Sequence, residues 1–495
     1  MLALAGTRVG HFLTDDWHTL ALASQFGPSN LLDVFALAPG QWHWRPLPNL
    51  LWALEWDVFG LDPAGYAAVK AAMLAAGAFL VGTLARRLSG GSTAIGAFAA
   101  ALFALHPLGS GPWIWVSANH ENVLLLAFLL GLLALERYAR GEGGLAAVVL
   151  AAGAAMLSKE TGAVFPGAVL LHALLVAERG PARSRALRAF AATAALVGAY
   201  AALRLARGAV PFGEEGYPFP SAWGMLRGLA IDPFRWIVAP VSRSAFGANA
   251  GSVVAAFLVV LLAAVGPWLL AGAPRRRIVG FAVSLVPLAM IPVAPFFATG
   301  LSPADWEGLY VAHYLLLPAA AFVLAFALAF GAQGWPSRKI AVAFAIGIVG
   351  LYGAVLQRNH VPWKEAGAIA RAFAAGIRAH LPDREAGRPL YVYFVGAPAS
   401  HRGIQIGAGS AIQVALEKRF PLPAYPTDRG LAGDEVARFL ERVAEAVPYK
   451  VFFVEDRERA LALARGPLER GESLEDVLAL EWDAAARRLE PLELR

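Results

Sequence analysis

The chain has 495 residues, 58% of them hydrophobic and 16% charged, with a mean hydropathy of +0.55. Soluble domains carry about 25% charged residues, so this composition describes an integral membrane protein and excludes a freely soluble enzyme. The absence of cysteine excludes disulfides, thiolate metal sites and a cysteine nucleophile. The net charge of +6 does not signal nucleic-acid binding, because the basic residues sit in short loops and form no patch alternating with exposed aromatics.

In chain order, residues 1–13 are apolar but short of the roughly 20 residues that cross a bilayer. They carry no signal-peptide cleavage pattern and read either as the remainder of a truncated first helix, the favoured reading, or as a stub that only dips into the interface. Thr14-Asp15-Asp16-Trp17-His18 then opens a polar first loop. Ten apolar spans follow, at 66–85, 93–109, 119–136, 144–158, 161–177, 187–206, 251–272, 278–298, 310–332 and 340–357. Basic clusters fall after alternate spans: Arg86-Arg87, Arg137 with Arg140, Arg179 through Arg188, Arg275-Arg276-Arg277, and Arg338-Lys339. The positive-inside rule sends these to the cytoplasm. Segments 14–65, 110–120, 159–160, 207–250 and 299–309 then face outward. The short span 144–158, rich in Ala and Gly, is expected to pack inside the bundle.

Composition changes after Arg358, where charged residues become frequent. Leu390 to Val395 and Tyr449 to Val454 read as strands, and Val436, Phe439, Leu440 and Val443 recur at helical spacing within 432–446. The expected architecture is an α-helical polytopic membrane protein of about 10–11 transmembrane helices, with residues 1–357 in the membrane. Residues 358–495 form a small extracytoplasmic α/β domain. The chain belongs in the inner or plasma membrane.

On this topology, polar residues gather at the outer ends of the helices. Asp15 and Asp16 are adjacent carboxylates, costly near hydrocarbon and thus functional candidates; either one could instead cap a helix starting near Trp17. His43 and Arg45 follow in Gln41-Trp42-His43-Trp44-Arg45-Pro46-Leu47, and Arg45 could equally organise the helix start at Pro46. His106 precedes Pro107, and Glu121 opens the next span. Lys159 and Glu160 close the following hairpin, where a snorkelling lysine or a local Lys159–Glu160 ion pair is the plain alternative. Trp113 and Trp115 suit an interfacial belt. His120, Tyr310 and His313 are further candidates.

The order Asp15-Asp16, Arg45-Pro46-Leu47, Gly60-Leu61-Asp62-Pro63-Ala64-Gly65-Tyr66, His106-Pro107-Leu108, Asn119-His120-Glu121 and Lys159-Glu160-Thr161-Gly162 resembles the GT-C superfamily of polytopic glycosyltransferases. It looks most like bacterial relatives of the protein O-mannosyltransferases, including those that carry tetratricopeptide repeats, over roughly residues 12–180. The resemblance implies a polyprenyl-phosphate-linked sugar donor, a protein or glycan acceptor and a base from the first-loop acidic pair, Asp15 favoured, with Asp16 orienting the acceptor or a cation. Arg45, His106, Glu121, Lys159 and Glu160 would bind the donor phosphate or line the site. There are departures. A complete helix normally precedes the acidic pair, relatives often carry Asn-Leu and a His where this chain has the run containing Lys70, and no tetratricopeptide repeats follow.

Asp15, Asp16 and His106 could offer hard ligands to a divalent ion, but no zinc-type spacing occurs, and no metal or other cofactor is expected. Gly407-Ala408-Gly409-Ser410-Ala411 lacks the lysine of a P-loop, which favours a lipid-linked donor over a nucleotide sugar. The alternative reading is a flippase or transporter of lipid-linked sugars. Pro287, Pro292 and Pro295 break one span as a transporter's helix would be broken, yet no inverted repeat pairs with it.

Overall fold

The computed structural model describes residues 11–37, 43–208, 221–230, 237–265, 273–294, 311–331, 337–382, 390–397, 400–401, 404–405, 410–418, 442–443, 448–454, 456–469, 477–484, 486 and 488–492. Each of the ten expected spans finds a helix. A short helix α1 (Thr14–Ala23) and α2 (Pro46–Phe59) precede them in the first loop. The spans are α3 (Pro63–Leu88), α4 (Thr93–Ala104), α5 (Asn119–Arg140), α6 (Leu145–Ser158), α7 (Phe165–Leu175), α8 (Pro181–Ala206), α9 (Ala250–Val265), α10 (Ala273–Met290), α11 (Leu316–Gly331) and α12 (Arg338–His380). Among the described residues, five helices are long and apolar enough to cross a membrane by themselves.

Local chemistry explains the boundaries. Asp62 caps α3 by accepting the Ala64 N–H at 2.9 Å, with Pro63 at the first helical position. Ser92 and Ser337 cap α4 and α12 in the same way. Gly141 ends α5 in the left-handed conformation at φ 84°. Helix α11 is buried from Leu316 to Phe330 apart from the half-buried Phe322, as expected of a helix that is apolar all round.

Helix α6 departs from expectation. It buries one face, through Val148, Ala152, Ala155 and Met156, but Leu150 is 72% exposed, so α6 lies at the bundle's edge. Close approach falls instead to α3 and α4. A Cβ on Gly82 would stand 2.7 Å from the Gly96 carbonyl oxygen, and a Cβ on Gly96 the same distance from that of Gly82. Only glycine at both positions lets these backbones meet.

Helix α12 runs unbroken past 357, so the expected division at 357/358 falls mid-helix. Its second half carries a four-stranded sheet built from β1 (Leu390–Val395), β2 (Tyr449–Val454), β3 (Val477–Asp483) and β4 (Arg488–Leu492), in the order β2-β1-β3-β4. β1 pairs in parallel with β2 and β3, and β4 closes the edge antiparallel to β3. The central strand β1 is almost wholly buried, which matches its unbroken apolar run. Phe373 of α12 packs on Phe394 at 5.2 Å and on Trp482 at 5.6 Å. One apolar cluster joins this sheet to Trp17 of α1, Trp52 of α2 and Trp115, tying the C-terminal domain to the first loop. Most of the helical pattern at 432–446 lies outside the described residues, as do Gln41, Trp42, Pro295, Trp306, Tyr310 and 407–409.

Candidate active site

Asp16 and Asp15 part company at the start of α1. The Asp16 carboxylate is 2% exposed. One oxygen accepts the Leu13 N–H at 3.0 Å, and the other accepts the Ser117 N–H at 2.8 Å and hydroxyl at 3.0 Å. Thr19 adds a 2.8 Å hydroxyl contact to Ser117. Asp16 is therefore both helix cap and clasp, fixing α1 to the loop that leads into His120 and Glu121. Burial lifts its carboxyl to about 6, against the lowering bonds from Leu13 and Ser117 and the Lys70 charge. Asp15 is half-buried, and one residue along a helix it points about 100° away from Asp16.

The cations assemble around Lys159-Glu160. Lys159 is extended, at φ −165° and ψ 149°, so neighbouring side chains diverge. Glu160 reaches Arg45, with Nη2–Oε2 at 2.9 Å and Nε–Oε2 at 3.2 Å. Lys159 turns the other way and pairs with Glu121, both all but fully buried, its ammonium 4.3 Å from the Tyr314 ring centre. In place of the local Lys159–Glu160 pair, the plain alternative from the sequence, the two residues make two long-range pairs. Gly162 makes the turn possible, since a Cβ there would lie 2.4 Å from the carbonyl carbon of Ala155.

Further groups border the two pairs. His43 and Arg204 each stand 3.8 Å from Glu160, and Arg204 donates to the Tyr200 hydroxyl at 2.8 Å. His120 lies 3.7 Å from Glu121, with its ring centre 6.0 Å from that of His313. Burial works against the Arg45 charge, and Glu160 beside it more than offsets this, raising the guanidinium above its ordinary value. Arg45, Lys159 and Arg204 outnumber Glu121 and Glu160, so the cluster suits an anion. His120, Glu121 and His313 could also present one ligand atom each, all within 4.8 Å of one another; the Asp15, Asp16 and His106 set considered from the sequence does not come together in this way.

His106 stands outside the cluster. Its Nε2 lies 3.1 Å from the Ile237 carbonyl oxygen, and its Nδ1 accepts the Leu108 N–H at 3.3 Å, so both ring nitrogens bind backbone. Trp113 and Trp115 are 3% and 4% exposed, too buried for a lipid-facing belt. Trp113 packs on Phe103, and Trp115 on His313.

Sequence reasoning passed over a second polar layer beneath the clasp. Lys70 donates to the carbonyls of Pro112, at 3.0 Å, and Trp115. Glu55 accepts from Asn119 at 3.0 Å; burial raises its carboxyl, the Lys70 charge and the Asn119 bond lower it, and Asp16 raises it further. The available signal was a lysine in an apolar span, which is a functional pointer by default.

Residues 43–203 match the family model described as dolichyl-phosphate-mannose-protein mannosyltransferase. The matched segment contains His43, Arg45, His120, Glu121, Lys159 and Glu160. No curated protein matches the chain. Among solved structures, ArnT from Cupriavidus metallidurans bound to undecaprenyl phosphate is similar at 17% identity and a TM-score of 0.41, covering 98% of this chain and 91% of that one. The archaeal oligosaccharyltransferase AglB from Archaeoglobus fulgidus, in complex with an inhibitory peptide and a dolichol-phosphate, is similar at 13% identity and 0.41, covering 99% and 73%. Over residues 43–203, about a third of a chain whose described residues hold five helices long and apolar enough to cross a membrane, this protein resembles the dolichyl-phosphate-mannose-protein mannosyltransferases.

Proposed function

We propose that the protein transfers a sugar from a polyprenyl-phosphate-linked donor to a hydroxyl of a protein or glycan acceptor at the extracytoplasmic face. The observation that carries this reading is the pairing of Arg45 with Glu160 and of Lys159 with Glu121 at one end of the bundle. Two cations are thereby fixed before any ligand arrives. Preorganised positive charge is the large electrostatic contribution where a phosphate departs. Arg45 presents a planar fork to phosphate oxygens, and Lys159 a point charge from deeper in the protein.

Asp15 takes the proton from the acceptor hydroxyl. The freed oxygen attacks the anomeric carbon, the carbon–oxygen bond to phosphate breaks, and the lipid phosphate leaves with the electron pair onto Arg45 and Lys159. Asp16 holds α1 in register with the His120–Glu121 end of α5. The basic loop clusters support a cytoplasmic opposite end of the bundle, and with it an outward-facing site and C-terminal sheet. This reading needs no divalent ion, because the Lys159 ammonium supplies the positive charge a metal would bring and already occupies the Glu121 carboxylate that would ligate one.

Purified protein given a polyprenyl-phosphate sugar and a hydroxyl acceptor should release polyprenyl phosphate in step with glycosylated product, at a rate unchanged by excess EDTA. Loss of transfer with EDTA, restored by a divalent ion, would reassign His120, Glu121 and His313 as metal ligands. Movement of the lipid-linked sugar across the bilayer with no product would sink the transferase reading in favour of a flippase.

A further inference from the structure

The opposite end of the bundle holds a cavity of about 770 Å³, within the size range of small-molecule sites. It lies at the end of α5 away from Glu121. Fifteen residues separate Glu121 from Glu136, about 22 Å along a helix, so the cavity is no part of the transfer site. Its rim gathers Arg87 from the end of α3, Arg140 from the end of α5, Arg179, and Arg185 from the start of α8. Its inner wall is apolar, with Ile278 and Val279 of α10 and Leu328 of α11.

The floor is built, not incidental. Glu136 pairs with His172 at 2.6 Å and with Arg140. His172 is 3% exposed, and its Nδ1 has no hydrogen-bond partner, an orphaned polar atom at the cavity wall. Arg185 is held there by a 3.1 Å bond from its Nε to the Ala139 carbonyl. The Glu136 charge is already shared between Arg140 and His172, and Glu178 is the other carboxylate of the lining. Arg87, Arg179 and Arg185 therefore leave the cavity positive. Loop arginines obeying the positive-inside rule have no need to converge on one cavity with a buried polar floor and an apolar wall.

We propose that this cavity binds a phosphate-bearing anion, and that the anionic phospholipid headgroup is the source that also uses the apolar wall. Phosphate oxygens would sit between Arg87, Arg179 and Arg185, with the glycerol backbone against Ile278, Val279 and Leu328. Basic pockets between helices at this end of a membrane protein suit such headgroups.

Native mass spectrometry of the detergent-purified full chain tests this, with cardiolipin, phosphatidylcholine and inorganic pyrophosphate as probes. Cardiolipin should bind the wild type, phosphatidylcholine should not, and the Arg87→Gln/Arg179→Gln variant should bind cardiolipin about 25-fold more weakly, taking roughly fivefold per arginine. The Arg87→Lys/Arg179→Lys variant should keep most of the affinity, and an unchanged melting temperature of both unliganded variants shows that they fold. Arg276→Gln/Arg277→Gln removes the same charge from exposed residues outside the lining and should bind as wild type. Pyrophosphate binding that the glutamine variant abolishes would make a soluble phosphate the source. The proposal is overturned if wild type binds neither cardiolipin nor pyrophosphate, or if the Arg276/Arg277 variant loses as much as the Arg87/Arg179 variant.

Discussion

Asp15→Asn should lower sugar transfer about 10²- to 10⁴-fold, the usual contribution of a general base, without moving the melting temperature. Asp16→Asn should do the reverse in emphasis, destabilising the protein by about 1–3 kcal/mol, the cost of leaving a buried hydrogen-bonding group unsatisfied. The two residues are neighbours, yet their surroundings differ in kind. Both Asp16 oxygens accept N–H groups, one from Leu13 and one from Ser117. An asparagine offers one oxygen and one NH₂, so one N–H must face another donor. The partly exposed Asp15 has room to meet an acceptor. Activity and thermal unfolding measured on both variants separate base from clasp. Full transfer by Asp15→Asn would move the base to another residue.

The same clasp has a pH signature. Burial raises the Asp16 carboxyl from 3.8 to about 6, so the folded protein holds this proton more tightly than the unfolded chain does. Its contribution to stability is complete below 3.8 and is lost as pH rises through about 6. Asp16→Asn lacks that titration. The melting-temperature gap between wild type and variant should therefore be wider at about pH 4.5 than at about pH 7.5; a gap that widens with rising pH would contradict the buried-carboxyl account.

The spans were legible because a helix in hydrocarbon must be apolar over most of its length, a constraint no other element shares. Arg45, Glu121, Lys159 and Glu160 were legible as polar residues at helix ends on one side of the membrane. Their pairing was not, because it depends on the extended backbone of Lys159, and the Arg45–Glu160 contact spans 115 residues. His106 looked like site lining from its place in the motif order; its actual partner, Ile237, is 131 residues away. Of the inner layer, Lys70 stands singly in an apolar run and Glu55 in a mostly apolar first-loop helix, so no periodicity links them, while Asn119 lay within the Asn119-His120-Glu121 motif without showing its partner. β1 and β2 showed as dense apolar runs. β3 and β4, which alternate with charged residues such as Glu481 and Glu490, did not.

Removing Lys159 should damage both stability and activity, and removing its partner as well should repair only the first. In Lys159→Met the Glu121 carboxylate, 2% exposed, loses its counter-charge. Breaking a buried pair from one side costs about 3–5 kcal/mol, while replacing both members by apolar side chains of similar volume is often neutral. Lys159→Met/Glu121→Leu should therefore recover most of the melting temperature lost by Lys159→Met. Transfer should stay about 10²- to 10³-fold down in both, the loss seen when one preorganised charge-stabilising donor is removed. The Arg45–Glu160 pair, whose side chains are 17% and 25% exposed, should show a smaller version of the same stability pattern, since screening weakens an exposed pair. A Lys159→Met/Glu121→Leu protein that regained activity together with stability would make Lys159 a structural partner of Glu121 and leave Arg45 as the cation facing the phosphate.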